Sequence, residues 1–148
     1  MNVEEIIKTD KKMELPSKTV IHLMLVSNKV NETINATLKP FDVSIQQFNV
    51  LRILRGQCGK PANLKTLNER MVTKMSNTTR LVDKLILKGY VKRKTCETNR
   101  RKIEIYITTK GEKALSSMDI AMNKNDKHIV QNFSEEELEY LNVLFNKF

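Results

Sequence analysis

Residues 63–108 read NLKTLNERMVTKMSNTTRLVDKLILKGYVKRKTCETNRRKIEIYIT, and the order of signals in this stretch decides the fold. Asn63 can cap a short helix whose buried side holds Leu64, Leu67 and Met71. After a brief turn, Thr73 is placed to cap a further helix ending at Lys88, with Gly89 free to take the left-handed conformation that closes helices. Thr78, Leu81, Val82 and Leu85 recur at steps of three or four in that helix and face inward. Beyond Gly89 the period drops to two. Residues 91–95 and 102–108 read as strands, the second with Ile103, Ile105 and Ile107 on one face and Lys102, Glu104 and Tyr106 on the other, and Cys96 to Arg101 forms the hairpin tip. Two helices joined by a tight turn and followed by a basic hairpin make a winged helix-turn-helix.

On the N-terminal side, Ser44-Ile45-Gln46-Gln47 is a capping box opening a helix that runs through Phe48, Leu51 and Leu54 and stops near Gly56 and Gly59. Before it, Val20, Leu23, Met24, Ser27, Val30, Ile34 and Leu38 lay a stripe along a long helix over residues 17–38, with Pro16 just before its start and Pro40 just after its end. On the C-terminal side, Thr109-Lys110-Gly111-Glu112 reads as a second capping box, opening a helix with Leu115, Met118, Ala121 or Met122, Asn125 and Ile129. Ser134-Glu135-Glu136-Glu137 is a third, opening a last helix with Leu138, Leu141, Leu144 and Phe148. The expected fold is mainly α, in the order α-α-α-α-β-β-α-α. It is a single domain over 1–148 with its winged helix-turn-helix region at 44–108 and long helices at 17–38 and 109–148. Those terminal stripes exceed what a small winged helix needs for its own core, which favours a symmetric homodimer. A two-fold dimer sets two helices roughly 34 Å apart and asks for a pseudo-palindromic site.

The 148 residues include 26 Lys and Arg against 17 Asp and Glu, a formal charge of +9, with 40% apolar and 5% aromatic residues. Placing the charge is more informative than totalling it. Between Arg70 and Lys113 there are 13 Lys and Arg against four acids, while the remainder carries equal numbers of each sign, so the whole surplus belongs to the helix-turn-helix and hairpin. Such a local surplus is an electrostatic footprint for a polyanion; a solvated, solubilising surface is the plainer explanation. No apolar run approaches the roughly 18 residues of a membrane span. The opening residues MNVEEIIKTDKKMELP lack the apolar core of a signal peptide, so a cytoplasmic location is expected.

The second helix of the motif carries the functional reading. Thr73, Asn77, Arg80 and Lys84 form an exposed row flanked by Ser76 and Thr79. These hydroxyls, amide and cations reach base edges and phosphates in a major groove wide enough for a helix: Arg80 suits guanine, Asn77 adenine, and Ser76 and Thr79 either base or backbone. In the hairpin, Lys92, Arg93 and Lys94 precede the tip and Arg100, Arg101 and Lys102 follow it. Like charges facing one another across a ladder repel, and a phosphate backbone would neutralise them, with one tip arginine entering the minor groove. An edge protected against aggregation by lysines is the competing explanation, which two tip arginines fit less well.

Leu67-Asn68-Glu69-Arg70-Met71, SNTTRLVDKL at 76–85, Lys88-Gly89-Tyr90-Val91-Lys92-Arg93, Asn99-Arg100-Arg101, Ile107-Thr108-Thr109-Lys110-Gly111 and IQQFNVLRIL at 45–54 together resemble the MarR family of bacterial transcriptional regulators. The resemblance covers roughly residues 20 to 145. It implies a homodimeric winged-helix repressor or activator on double-stranded DNA, with a recognition helix over Lys74 to Lys88, a wing over 91–108, and dimerisation through the first helix and the last two. The family commonly has Asp-x-Arg at the wing tip. Here Asn99 stands at the acid's place and Arg101 at the arginine's, so the carboxylate that supports the arginine in the family has no counterpart, and an amide hydrogen bond would be weaker than a charge-assisted one. Relatives often bind small aromatic acids, which makes such an effector an expectation, with Met24, Phe48 and Met118 either lining its cavity or filling ordinary core.

Cys58 and Cys96 lack CxxC or zinc spacing. Cys96, close to Lys94 and Arg100, is the candidate redox residue, with a passive thiol as the alternative. No nucleophile elbow, phosphate-binding loop or HExxH occurs, and His22 and His128 are too few for a metal cluster. No enzyme, metal or cofactor is therefore expected. The functional alternative to a sequence-specific repressor is a basic protein binding nucleic acid without sequence preference, as a chromatin- or RNA-associated module.

Overall fold

Asn2 accepts a hydrogen bond from the Glu4 amide and starts a single helical turn, α1 (Val3–Ile6), whose Val3 is buried. The computed structural model describes residues 2–148 apart from 73–76, 97–98 and 100–101. α1 was not anticipated, since four residues are too few to show a period. It is held to the next helix by Lys18, whose ammonium lies 2.8 Å from Glu4 Oε1. α2 (Leu15–Leu38) begins two residues earlier than the apolar stripe suggests. Pro16 stands within its first turn rather than before it, a place where the missing amide hydrogen costs nothing. A 3-10 turn over Lys39–Phe41 carries Pro40 and leads to α3 (Ile45–Arg55), opened by the Ser44–Gln47 capping box with both reciprocal bonds present. α4 (Leu64–Arg70) is capped by Asn63.

α5 (Thr78–Leu87) differs from expectation at its start. Its N-cap is Asn77, whose side-chain oxygen accepts from the Arg80 amide, rather than Thr73, which lies outside the described residues. Gly89, at φ 72°, turns the chain into β1 (Val91–Thr95), which pairs antiparallel with β2 (Ile103–Ile107). Ala62 adds an isolated bridge to Ile105 on the far side of β2, with both backbone bonds made at 3.0 and 2.8 Å, so the segment before α4 is stitched to the wing. α6 (Thr109–Ile129) is capped by Thr108, one residue before the expected cap, and the Thr108 hydroxyl oxygen accepts from the Gly111 amide at 3.0 Å. α7 (Glu135–Phe145) has the Ser134–Glu137 capping box as read from sequence.

The core gathers Phe48, Leu51 and Leu54 of α3, Leu67 of α4, Val82 and Leu85 of α5, Val91 and Ile105 of the hairpin, and Leu115 and Met118 of α6. α3 packs against α5 and α6, so the helix-turn-helix sits on α3 with the long helix behind it. Of α2 only Leu38 is buried and of α7 no residue is, while Val20 and Met24 of α2 and Ile120 of α6 are 56%, 61% and 74% exposed. Among the described residues no helix is long and apolar enough to cross a membrane.

The end of α5 is clamped from both sides. The Lys88 ammonium donates to Asp42 Oδ2, while Lys110 Nζ donates to the Lys88 carbonyl at 2.8 Å and the Thr108 hydroxyl donates to that of Gly89 at 2.7 Å. The hydrogen bond from Lys88, with its charge, holds the Asp42 carboxyl below the ordinary carboxylate value. A depressed folded-state pKa contributes stability that is present above the unfolded value and is lost as pH falls through the folded one. Asp42→Asn is therefore expected to melt slightly below the parent at neutral pH. The two curves should converge as the solution is acidified through the carboxylate range, which thermal melts across a pH series would show.

Candidate nucleic-acid interface

α5 presents two faces because 3.6 residues make a turn. Thr78, Val82 and Leu85 are buried, with Leu81 and Ile86 half-buried beside them, while Asn77, Thr79, Arg80, Asp83, Lys84 and Leu87 are exposed. Thr78 faces inward as its spacing predicts, and its hydroxyl donates to Asn68 Oδ1 of α4, so the one buried polar side chain of the helix has a partner that also joins the two helices of the motif. Arg80 and Lys84 stand one turn apart on the exposed side, and neither is in an ion pair among the described residues. Asn77 is exposed beside them, but its side-chain oxygen is committed to the Arg80 amide at 3.3 Å, which leaves the amide hydrogens as the group it can offer a base. Ser76 lies outside the described residues.

The wing follows directly, since α5 packs against β1. Its register pairs Lys92 with Tyr106, Arg93 with Ile105, and Lys94 with Glu104. The expected repulsion of like charges across the ladder is thus absent for these three cations, because an aromatic ring, an apolar side chain and an acid stand opposite them. Lys92 Nζ sits 5.8 Å from the Tyr106 ring centroid, and the Tyr106 hydroxyl donates to Glu104 Oε2 at 2.7 Å. Arg93 donates through Nη2 to Asp83 Oδ1 of α5 at 2.5 Å, a contact between elements that no local pattern announces. Lys102 is exposed, and its amide donates to the Asn99 carbonyl at 2.8 Å. Arg100 and Arg101 fall outside the described residues. Thr79, Arg80, Lys84, Lys92, Lys94 and Lys102 are thereby exposed on one helix and the hairpin next to it.

Cys96 is half-buried at the end of β1, where its amide donates to the Lys102 carbonyl at 2.9 Å, and Cys58 is exposed at φ 52° in the turn after α3. Phe48 and Met118 are buried in the core and Met24 is exposed on α2. The cavities of about 540 and 470 Å³ lie elsewhere, one between α1 and α2 against Lys18 and His22, the other against Asn35, Asp42 and Gln47. Among the described residues no cluster of three His, Cys, Asp or Glu is arranged to hold a metal ion.

The MarR family model matches residues 43–103, the span from just before α3 to the first residue of β2. The multiple antibiotic resistance protein MarR of Escherichia coli (strain K12) is 28% identical over 136 residues, covering 90% of each chain. Among solved structures, a MarR-like transcription regulator from Bacillus cereus superposes with a TM-score of 0.80 at 24% identity, over 89% of this chain and 94% of that one. A cysteine-to-serine mutant of E. coli MarR complexed with operator DNA superposes with a TM-score of 0.76 at 22% identity, over 99% of this chain and 98% of that one. The shared fold is the winged helix seen here.

Proposed function

We infer that this chain, a member of the MarR family, is a sequence-specific transcriptional regulator of double-stranded DNA, acting as a homodimeric repressor on a pseudo-palindromic operator. The observation that carries this is the exposed face of α5. Polar and cationic side chains line a helix whose other face packs Thr78, Val82 and Leu85 into the core, and a basic wing adjoins it. A helix about 10–12 Å across enters a major groove of similar width, where Arg80 can take the two acceptors of guanine and Thr79 and the Asn77 amide hydrogens meet neighbouring bases or phosphates. Lys84, Lys92, Lys94 and Lys102 supply phosphate contacts, and Ser76, Arg100 and Arg101 extend them, Arg101 into the minor groove.

The homodimer is supported by the uncovered apolar faces of α2, α6 and α7. Val20, Met24, Ile120, Tyr140 and Val143 are large side chains left in water by a single chain, and large apolar side chains exposed on the terminal helices favour a partner that covers them. A two-fold axis through those helices would set the two copies of α5 about one DNA turn apart.

Purified protein is expected to protect a discrete operator in a footprint of its own promoter region. It should prefer that site over competitor DNA by roughly 10³ or more and sediment as a dimer. Deleting its gene should raise expression from that promoter. A ratio near one would instead assign it to basic proteins that bind nucleic acid without sequence preference, since salt sensitivity is common to both. Arg101→Ala should weaken binding while leaving the order of preference among major-groove variants of the site unchanged.

A further inference from the structure

We propose that Asp83 and Arg93 form a latch that holds the wing against the recognition helix, making Arg93 a positioning residue rather than a phosphate contact. This rests on the DNA-binding reading above. Arg93 pairs in register with Ile105, which is fully buried, and shares its strand face with buried Val91, so its side chain is turned toward α5. Lys92 and Lys94, one residue to either side, stand on the opposite face. Asp83 is the one acid of α5. It shares a flank of the helix with Thr79, four residues earlier, while Arg80 and Lys84 share the other. The Arg93 guanidinium meets it at 2.5 Å and bridges helix to strand.

Two physical consequences follow. An unneutralised carboxylate on a helix that approaches phosphates repels them, and Arg93 removes that repulsion. Both side chains remain partly open to water, Asp83 at 51% and Arg93 at 33% exposure, so the pair contributes little to folding and acts on the placement of the wing instead. An unlatched wing must be re-ordered whenever DNA is bound. The affinity lost through unlatching alone, as in Asp83→Asn, cannot exceed what the latch was worth, which bounds that effect at about fivefold.

The sign separates the latch from a pair of independent charges. If Asp83 were only a negative charge near DNA, Asp83→Asn would tighten every complex. For a latch, Asp83→Asn tightens binding to competitor DNA but weakens operator binding by about three- to fivefold. Arg93→Gln weakens operator binding at least as much, and adding Asp83→Asn to it recovers part of the loss because the bare carboxylate is gone. The slope of log affinity against log salt is expected to stay unchanged in Arg93→Gln and to fall by about 0.9 in Lys94→Gln, a proposed phosphate contact. In the free protein, amide hydrogen exchange along 91–95 should quicken to the same degree in both latch variants, with melting temperatures near the parent's. Tighter operator binding by Asp83→Asn, a reduced salt slope in Arg93→Gln, or unchanged wing exchange in both variants would overturn the latch. If the parent protein showed no preference for its operator, the regulator reading would fall on that result, and hydrogen exchange would still decide the latch.

Discussion

Gly111→Ala is expected to lower the stability of this protein by about 3 kcal/mol, with a fall in melting temperature on the order of 10 °C. Gly111 is the third residue of α6, where the long helix passes over the turn that ends α5. A Cβ built there would stand 2.2 Å from the Tyr90 carbonyl oxygen and 2.9 Å from Ile107 Cγ1, both inside van der Waals contact. Neither side has room to withdraw. The Tyr90 carbonyl accepts the Thr108 amide at 2.9 Å, the Tyr90 amide donates to Leu85 at 3.0 Å, and the Gly111 amide is held by the Thr108 hydroxyl. Moving Tyr90 would disturb the closing turn of α5, and moving Gly111 would break the cap of α6. Two other glycines act as controls. Gly56→Ala meets nothing nearer than 3.4 Å in an ordinary helical conformation and is expected to cost little. Gly59→Ala has open space around it but φ +83°, and is expected to cost about 1 kcal/mol. Denaturant unfolding of the three variants should therefore rank Gly111 far above Gly59 and Gly59 above Gly56. A Gly111→Ala variant that unfolded with the parent would contradict the packing described here.

Arg80→Ala is expected to cost about 1–3 kcal/mol of operator binding, roughly five- to 150-fold in affinity, while leaving stability within about 0.5 kcal/mol of the parent. Its side chain is exposed, joins no ion pair among the described residues, and stands on the face of α5 opposite the packed one. The loss should fall on the specific complex more than on competitor DNA, so the specificity ratio shrinks. Asn77→Ala makes an instructive contrast. Its side chain caps α5, so its removal should cost about 1 kcal/mol of stability as well as affinity. Melting curves and competition binding on the two variants separate a group proposed to read DNA from one that also caps α5. If Arg80→Ala bound its operator like the parent, the assignment of this face to the major groove would fail.

The legible parts of this fold are those governed by neighbours three or four residues apart. Ser44 with Gln47 and Ser134 with Glu137 form capping boxes as written in the chain, Asn63 caps α4, and the inward positions Thr78, Val82 and Leu85 are buried. Where two such patterns overlapped, sequence alone chose wrongly. Thr108 and Thr109 are adjacent, and the glutamate three residues after Thr109 made it the better apparent cap. Thr108 caps instead, because its hydroxyl also reaches the Gly89 carbonyl from the preceding turn. The cap of α5 is Asn77 rather than the expected Thr73, which lies outside the described residues, both being residue types that can cap a helix. α1 was missed for want of length, and the Ala62 bridge to Ile105 for want of any strand around it.

The sequence by itself determined the order of the helices and strands from α2 onward, the two-residue period of the wing, and the concentration of positive charge in the segment from Arg70 to Lys113. Each of these depends on local geometry or on counting. Only the tertiary structure decided what each charge faces. Lys92 and Lys94 share one face of the hairpin, Arg93 crosses to Asp83, and Lys88 and Lys110 clamp the end of α5. Which of these cations remain open to a phosphate depends on how helix packs against strand, and that angle is set by the buried side chains between them rather than by the charged residues themselves.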